Sequence, residues 1–429
     1  MDEAQAVEIL ESLLKHVDAD GAEASFHSGA RFTARFADNR LTQNVQAENA
    51  TVSLAVSYGQ RHGGASTNDL SPESLKALAE RAQAAARVSP PDPEHMPPVT
   101  PEEAGEYSQV EAWDEATAAL PAGERIEAVC AAMKDVEAAG YRLSGAHTSS
   151  AGLHVLMNSA GVRCAHRSTE SELHCTALGD HGSGWAQATS VRDADIDTAG
   201  VAREALEIAR AAQHPTDIEP GRYTVILRPA AVWEMIPFYL VCDAKATDEG
   251  RTCLRGKLGT QIVDERVTLR SEPAFAACPG APFQGDGMAS SGLSWIGGGV
   301  LKHLCTSRYW ARQSKRLATG WPSNLIFDGG EASLEELIAS TERGILVTRF
   351  WYIRDVDPME SLLTGMTRDG LFLIEDGKIS RPLIQLRFND SVLGCLNRLE
   401  AIGQCERVEN TYVPALKIRD FNFASKTKF

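Results

Sequence analysis

The chain has 429 residues, 43% hydrophobic and 23% charged, enough for a sizeable core and for two or three domains. Its formal net charge of -16, from 42 Lys and Arg against 58 Asp and Glu, repels phosphate backbones and argues against direct binding of nucleic acid. The 9 cysteines contain no CxxC pair and read as reduced thiols in a reducing compartment, not as a disulfide framework.

Ala4 to His16 reads as an acidic amphipathic helix, without the basic flank and apolar run of a signal peptide. No stretch reaches the length that spans a bilayer. The expected location is the cytoplasm, with no membrane partner. Two segments of short-period alternation follow, 30–44 and 50–67, as expected of strands. A helix then starts on Ser71-Pro72 with Leu75, Leu78 and Ala79 on one stripe. The proline-dense run 89–103 fits neither helix nor central strand and reads as a linker.

The middle of the chain repeats this order. A helix over 123–140 ends on Gly140, two alternating runs are joined by a turn at Asn158–Gly161, and a capped helix covers 195–214. Helix–strand–strand–helix twice over suggests a duplicated architecture. From the turn at Glu219–Arg222 onward the chain becomes strand-rich, with strands expected over 223–229, 259–272, 323–328, 343–354 and 369–382. Residues 230–244 read as a short helix and 333–341 as another. The expected fold class is α+β, with an N-terminal α/β unit and linker over 1–99, a middle α/β unit over 100–218, and a β-rich domain over 219–429.

Several groups invite chemistry. Cys164, His166, His174, Cys175 and His181 crowd one meander but match no zinc spacing, and His174 and Cys175 point to opposite faces of a strand. His303 and Cys305 read as packed in a helix, Glu335 and Glu336 as a solvated helix face, and the glycine run 297–299 as a turn between strands. Arg308–Arg316 and Lys426–Lys428 are the nearest approaches to basic patches, and both read as solvated.

Three segments in order, 250–273, 322–351 and 363–383, with weaker echoes at 65–82 and 158–162, resemble the TldD/PmbA metallopeptidase family. Active members of that family carry His-Glu-x-x-x-His on a helix and a cysteine near the C-terminus. That set supplies two imidazoles and a thiolate to Zn²⁺, with a glutamate as general base. Here the matching segment is Trp233-Glu234-Met235-Ile236-Pro237-Phe238. Trp233 and Phe238 stand at the two histidine positions and cannot ligate zinc. Pro237 is expected to bend the helix, and Cys405 falls a few residues short of the place of the ligand cysteine.

The resemblance therefore implies a degenerate, TldE-like member with no metal of its own and no catalytic residues. It implies a non-catalytic subunit whose zinc lies in a TldD-like partner with an intact His-Glu-x-x-x-His. The pair would cleave unfolded or leader peptides, and the family's older description as a modulator of DNA gyrase is an indirect link through a peptide poison. An independently active hydrolase and a homodimeric binding or regulatory protein are the alternatives. Glu234 reads either as a relic base or as a carboxylate paired with an arginine. The expected substrate contacts are Gly365, Met366, Thr367, Arg368 and Asp369, read as a mobile loop between two strands at a cavity wall.

Overall fold

The computed structural model describes residues 1–427. Helix α1 (Glu3–Leu14) starts on an Asp2 capping box and buries Ala6, Val7, Leu10 and Leu13 along one stripe. Strands β1 (Gly21–Ala37), β2 (Arg40–Tyr58) and β3 (Arg61–Thr67) follow, then α2 (Pro72–Val88), capped by Ser71. After two one-turn helices, α3 (Pro101–Ala104) and α4 (Glu115–Ala118), the order recurs. It runs α5 (Ala122–Ala138), β4 (Arg142–Asn158), β5 (Arg163–Leu178), β6 (Ser183–Ser190) and α6 (Thr198–Ala211).

The six strands form one antiparallel sheet in the order β3-β2-β1-β4-β5-β6. The two halves meet at β1 and β4, where Gly29 pairs with Gly152 and Ala30 with Ala151. The repeat legible in the sequence is thus a duplication within one sheet, and the first two units share it. Matching glycines mark the two halves. A Cβ on Gly63 of β3 would lie 2.5 Å from the Ala86 amide nitrogen of α2, and one on Gly184 of β6 would lie 2.3 Å from the Ala205 carbonyl oxygen of α6. At each position a helix backbone crosses an edge strand with no room for a side chain. Gly184→Val is expected to push α6 off the sheet and lower stability by about 1–3 kcal/mol, the range for overpacking. Urea unfolding reads this directly, and an unchanged midpoint would contradict so close an approach.

Alternation along β1 separates the faces of the sheet. Ala22, Ala24 and Phe26 pack with α1 and α2, and Phe36 packs with α5 and α6. The opposite face meets the C-terminal domain, whose Phe283 packs on Leu156, Val162 and Cys164.

That domain begins with β7 (Gly221–Leu227), α7 (Pro229–Met235), α8 (Pro237–Leu240) and α9 (Ala244–Asp248). The short strands β8 (Leu269–Ser271), β9 (Leu293–Gly297) and β10 (Val300–Leu301) precede α10 (Arg308–Ser314), β11 (Leu325–Phe327) and α11 (Leu334–Ala339). The long strands are β12 (Arg343–Asp357), β13 (Leu362–Glu375), β14 (Lys378–Pro382) and β15 (Leu386–Ser391). After α12 (Val392–Asn397) come β16 (Leu399–Val408) and β17 (Thr411–Lys426). Strand β7 pairs with both β12 and β17, so β7, β12, β13, β15 and β17 close into a ring. Phe350, Phe388, Phe421 and Phe423 pack on one another with tilted rings in its core.

Two sequence expectations differ from this domain. Residues 259–272 are strand only at Leu269–Ser271. The alternation there places Ile262, Val263 and Val267 in the core from irregular backbone, with a left-handed turn at Gly259 just before. His303 and Cys305 lie outside any helix, and Cys305 bridges to Asp243. Among the described residues no helix is long and apolar enough to cross a membrane, and all nine cysteines are free.

Candidate functional site

The segment Trp233–Phe238, which the sequence resemblance sets at the place of the zinc motif, spans a break. Helix α7 stops at Met235, where Pro237 removes the next backbone donor, and α8 restarts from Pro237. The bend turns Trp233, Glu234, Pro237 and Phe238 toward a cavity of about 810 Å³, bounded across from them by β12 and by the segments 321–325 and 410–411 that lead into β11 and β17. Aromatic side chains dominate its wall. Phe238, Trp321, Trp351 and Tyr352 are 44%, 56%, 46% and 56% accessible, so the cavity is open and apolar.

Glu234 is engaged. Its carboxylate accepts from the Arg349 guanidinium at 2.9 Å and from the Phe350 backbone N–H, and the two charged side chains are 13% and 14% exposed. Of the two readings open in the sequence, the arginine-paired carboxylate is the one observed. Burial pushes Glu234 up to about 7, against the pull of Arg349 and the Phe350 N–H. The guanidinium lies 4.4 Å from the ring centre of Trp185 in β6 and 5.7 Å from that of Trp351. It also sits 4.0 Å from Asp369, which accepts from the Ser183 hydroxyl at 2.8 Å. Arg349 thus ties the N-terminal sheet to the cavity wall.

A zinc ion does not fit this donor set. Trp233 and Phe238 offer no lone pair, and the only carboxylate between them is committed to Arg349. Cys405 is on β16, outside the cavity lining. Its thiol donates to the Phe327 carbonyl, and burial pushes it up to about 12, away from the thiolate a metal needs. Cys164, His166, His174, Cys175 and His181 of the middle unit do not converge either, and His166 neighbours His154 across the strands instead. Cys175 is in the α5–α6 core, Cys164 lies beneath Phe283, His174 pairs with Glu172, and His181 packs against His214.

Gly365, Met366, Thr367, Arg368 and Asp369 do not form a loop. They lie within β13, where Met366, Thr367 and Arg368 pair with β12 and Gly365 and Met366 pair with β15. The small residues that suggest flexibility are there for packing. A Cβ on Gly365 would meet the Phe388 ring at 2.6 Å, and the Thr367 hydroxyl accepts from the Leu386 N–H and donates to Gln385. Asp369 adopts a left-handed φ of 54° beside a register shift in the β12–β13 ladder. Only Arg368 of the five is exposed, and its guanidinium covers the Trp351 ring at 4.6 Å. The wall predicted there is formed instead by Trp351–Arg354 of β12.

Other expectations hold in altered form. Glu336 completes a capping box with Ser333, and Glu335 is exposed. In the basic segment Arg308 pairs with Glu103, and Arg316 pairs with Asp248. Lys426 pairs with Asp217 and Glu219, whereas Lys428 lies outside the described residues.

Three family models cover the chain: the PmbA/TldA metallopeptidase domain 1 over residues 22–86, its central domain over 65–213 and its C-terminal domain over 220–425. The chain belongs to the PmbA/TldD metallopeptidase family. Metalloprotease PmbA of Escherichia coli O157:H7 is 22% identical over 413 residues, 90% of this chain and 88% of that one. A metalloprotease of Methanothermobacter thermautotrophicus is 24% identical over 230 residues, about half of either chain, 49% and 48%. In fold the chain is similar to TldE from Thermococcus kodakarensis, with a TM-score of 0.88 at 18% identity over 98% of this chain and 100% of that one. A proposed modulator of DNA gyrase from Thermotoga maritima matches with the same score at 19% identity, over 97% and 100%.

Proposed function

We propose that this PmbA/TldD family member is the non-catalytic, TldE-like subunit of a heteromeric zinc peptidase, working inside the cell on unfolded or leader peptides. The observation that carries the reading is the state of the motif helix. It still faces an open cavity, yet tryptophan and phenylalanine stand where imidazoles would be, and its glutamate is held by Arg349. The zinc and the hydrolytic water then belong to a TldD-like partner with an intact His-Glu-x-x-x-His.

What this chain contributes is a wall for the peptide. Strand β12 pairs with β7 only over Ile345–Val347, so among the described residues the β7-side edge of Phe350–Asp357 has no strand beside it. Trp351, Tyr352, Ile353 and Arg354 of that edge line the cavity. An extended peptide added there pairs through its backbone, with aromatic side chains beneath, and so tolerates many sequences.

The test is reconstitution with a zinc-bearing relative. The purified chain alone should hold no stoichiometric zinc by elemental analysis and turn over no peptide, while the pair should cleave and lose activity to a chelator. Glu234→Gln in this subunit should change turnover by the pair little, since the carboxylate has no metal-bound water to deprotonate. A loss of about 10²–10⁴-fold with assembly intact, the size of a lost general base, would make Glu234 catalytic. Turnover and tightly held zinc in the chain alone would favour an independent hydrolase.

A further inference from the structure

Strand β12 is irregular where it borders the cavity. Trp351 pairs with Met366 and Arg354 with Thr364, so three steps on β12 stand opposite two on β13. The extra residue is absorbed at Tyr352, which adopts a left-handed φ of 55°, a conformation that a bulky side chain rarely takes. A regular strand would offer the cavity alternate residues only. Here Trp351, Tyr352, Ile353 and Arg354 all line it. Such a distortion, holding consecutive side chains toward one cavity, is characteristic of ligand sites.

Charge narrows the ligand. The charged residues lining the cavity are Glu234, Arg349 and Arg354, and the first two neutralise each other. Among the described residues the Arg354 guanidinium meets the Ile353 carbonyl at 2.8 Å and the Tyr352 ring at 4.1 Å, but no carboxylate. The cavity is therefore locally positive in a chain of net -16. A cation does not suit it. The rings of Tyr352 and Trp351 already carry Arg354 and Arg368 on their faces, so an added cation meets like charge there. What remains open is apolar surface on Phe238, Trp321 and Trp351 beside one guanidinium with no counter-charge.

We propose that the cavity selects peptide segments carrying a large apolar side chain and, two residues along, Asp or Glu, with Arg354 as the specificity-determining residue. In an extended peptide those two side chains share a face. A guanidinium holds a carboxylate through paired N–H donors, which sets the acidic residue apart from a merely polar one. This selectivity rests on the cavity's being a peptide wall and adds a side-chain preference to the backbone pairing.

Tryptophan fluorescence of the full chain tests it, because Trp233, Trp321 and Trp351 line the cavity. The probes are the capped peptide acetyl-Ala-Phe-Ser-Asp-Ala-amide and its counterpart with Lys in place of Asp. The Asp peptide should bind about tenfold more tightly, by a ratio that shrinks in high salt. Alanine in place of the probe's phenylalanine should weaken binding about tenfold as well. Arg354→Gln should abolish the Asp preference and Arg354→Glu reverse it, both with the wild-type circular dichroism spectrum, since Arg354 is exposed. Equal binding of the two probes by the wild type overturns the selectivity and leaves the peptide wall standing, and so does an Asp preference that survives in Arg354→Gln. Binding of neither probe, by the chain alone or by its pair with a zinc-bearing relative, overturns both. Arg354 variants that lose association with that relative yet keep the Asp preference make this wall a subunit contact, which overturns the selectivity too.

Discussion

Replacing Arg349 with methionine is expected to destabilise the protein by roughly 3–5 kcal/mol, the cost of breaking a buried ion pair from one side. The side chain does three jobs at once. It neutralises Glu234, lies near Asp369, and fills the space between Trp185 and Trp351. Methionine restores much of the packing but leaves the Glu234 carboxylate, 13% exposed, without its cation, and Asp369 with Arg368 alone. Urea unfolding at neutral pH measures the loss. Adding Glu234→Gln to Arg349→Met should recover at least half of it, because the amide still accepts from the Phe350 N–H and carries no charge. If the double variant is no more stable than the single one, packing on the tryptophans rather than charge is what Arg349 provides. Lysine should rescue poorly, since it cannot reach Glu234 and stack on both rings with a planar fork.

That arginine also shows where the sequence stops being legible. The pairing of Glu234 with some arginine was one of two readings available from the motif alone, but its identity depends on the parallel β7–β12 pairing, which brings residues 115 positions apart together. Trp185 is further removed still, on a strand of the other sheet, and nothing in its local sequence points to Arg349. Local signals did well where the physics is local. Ser71 caps α2, Gly140 follows α5 in the left-handed region, and the repeated helix–strand order gave the duplicated sheet.

The same local rules misled at 365–369. Glycine, threonine and aspartate in a row are turn-formers in isolation. Here Gly365 is small because the Phe388 ring lies over it, Thr367 satisfies the Leu386 N–H, and Asp369 sits at a register shift facing Ser183. Each reason is a contact with a distant strand. The cavity aromatics were hidden differently. Trp321, Trp351 and Tyr352 look like ordinary strand or loop residues until the bend at Pro237 brings Trp233 and Phe238 opposite them.

His154 should take stability away as the pH falls from 6.5 to 4, against the opposite contribution of Glu234 and Glu23, whose raised values favour the folded state as they protonate. His27, His154 and His166 are direct cross-strand neighbours on β1, β4 and β5, on the face turned to the C-terminal domain. The rings of His27 and His154 stack at 3.9 Å, Phe283 packs on His154 at 4.9 Å, and the His154 Nε2 is buried with no partner among the described residues. Burial, and then the neighbouring His27 and His166, push His154 down to about 4 from 6.5, and burial lowers His27 and His166 as well. The sign follows from the depressed value. Above 6.5 the ring is neutral in both states and its packing is fully retained. As the pH falls toward 4 the unfolded chain takes up a proton that the folded chain refuses, and stability drains away. The full gap corresponds to roughly 3 kcal/mol, and partial exposure of the ring to solvent reduces this to about half. His154→Phe keeps an aromatic ring between His27 and Phe283 and removes the titration. Its unfolding free energy should therefore fall less than that of the wild type between pH 7 and 4, by about 1 kcal/mol or more. Parallel pH profiles for the two proteins would place the acid sensitivity elsewhere.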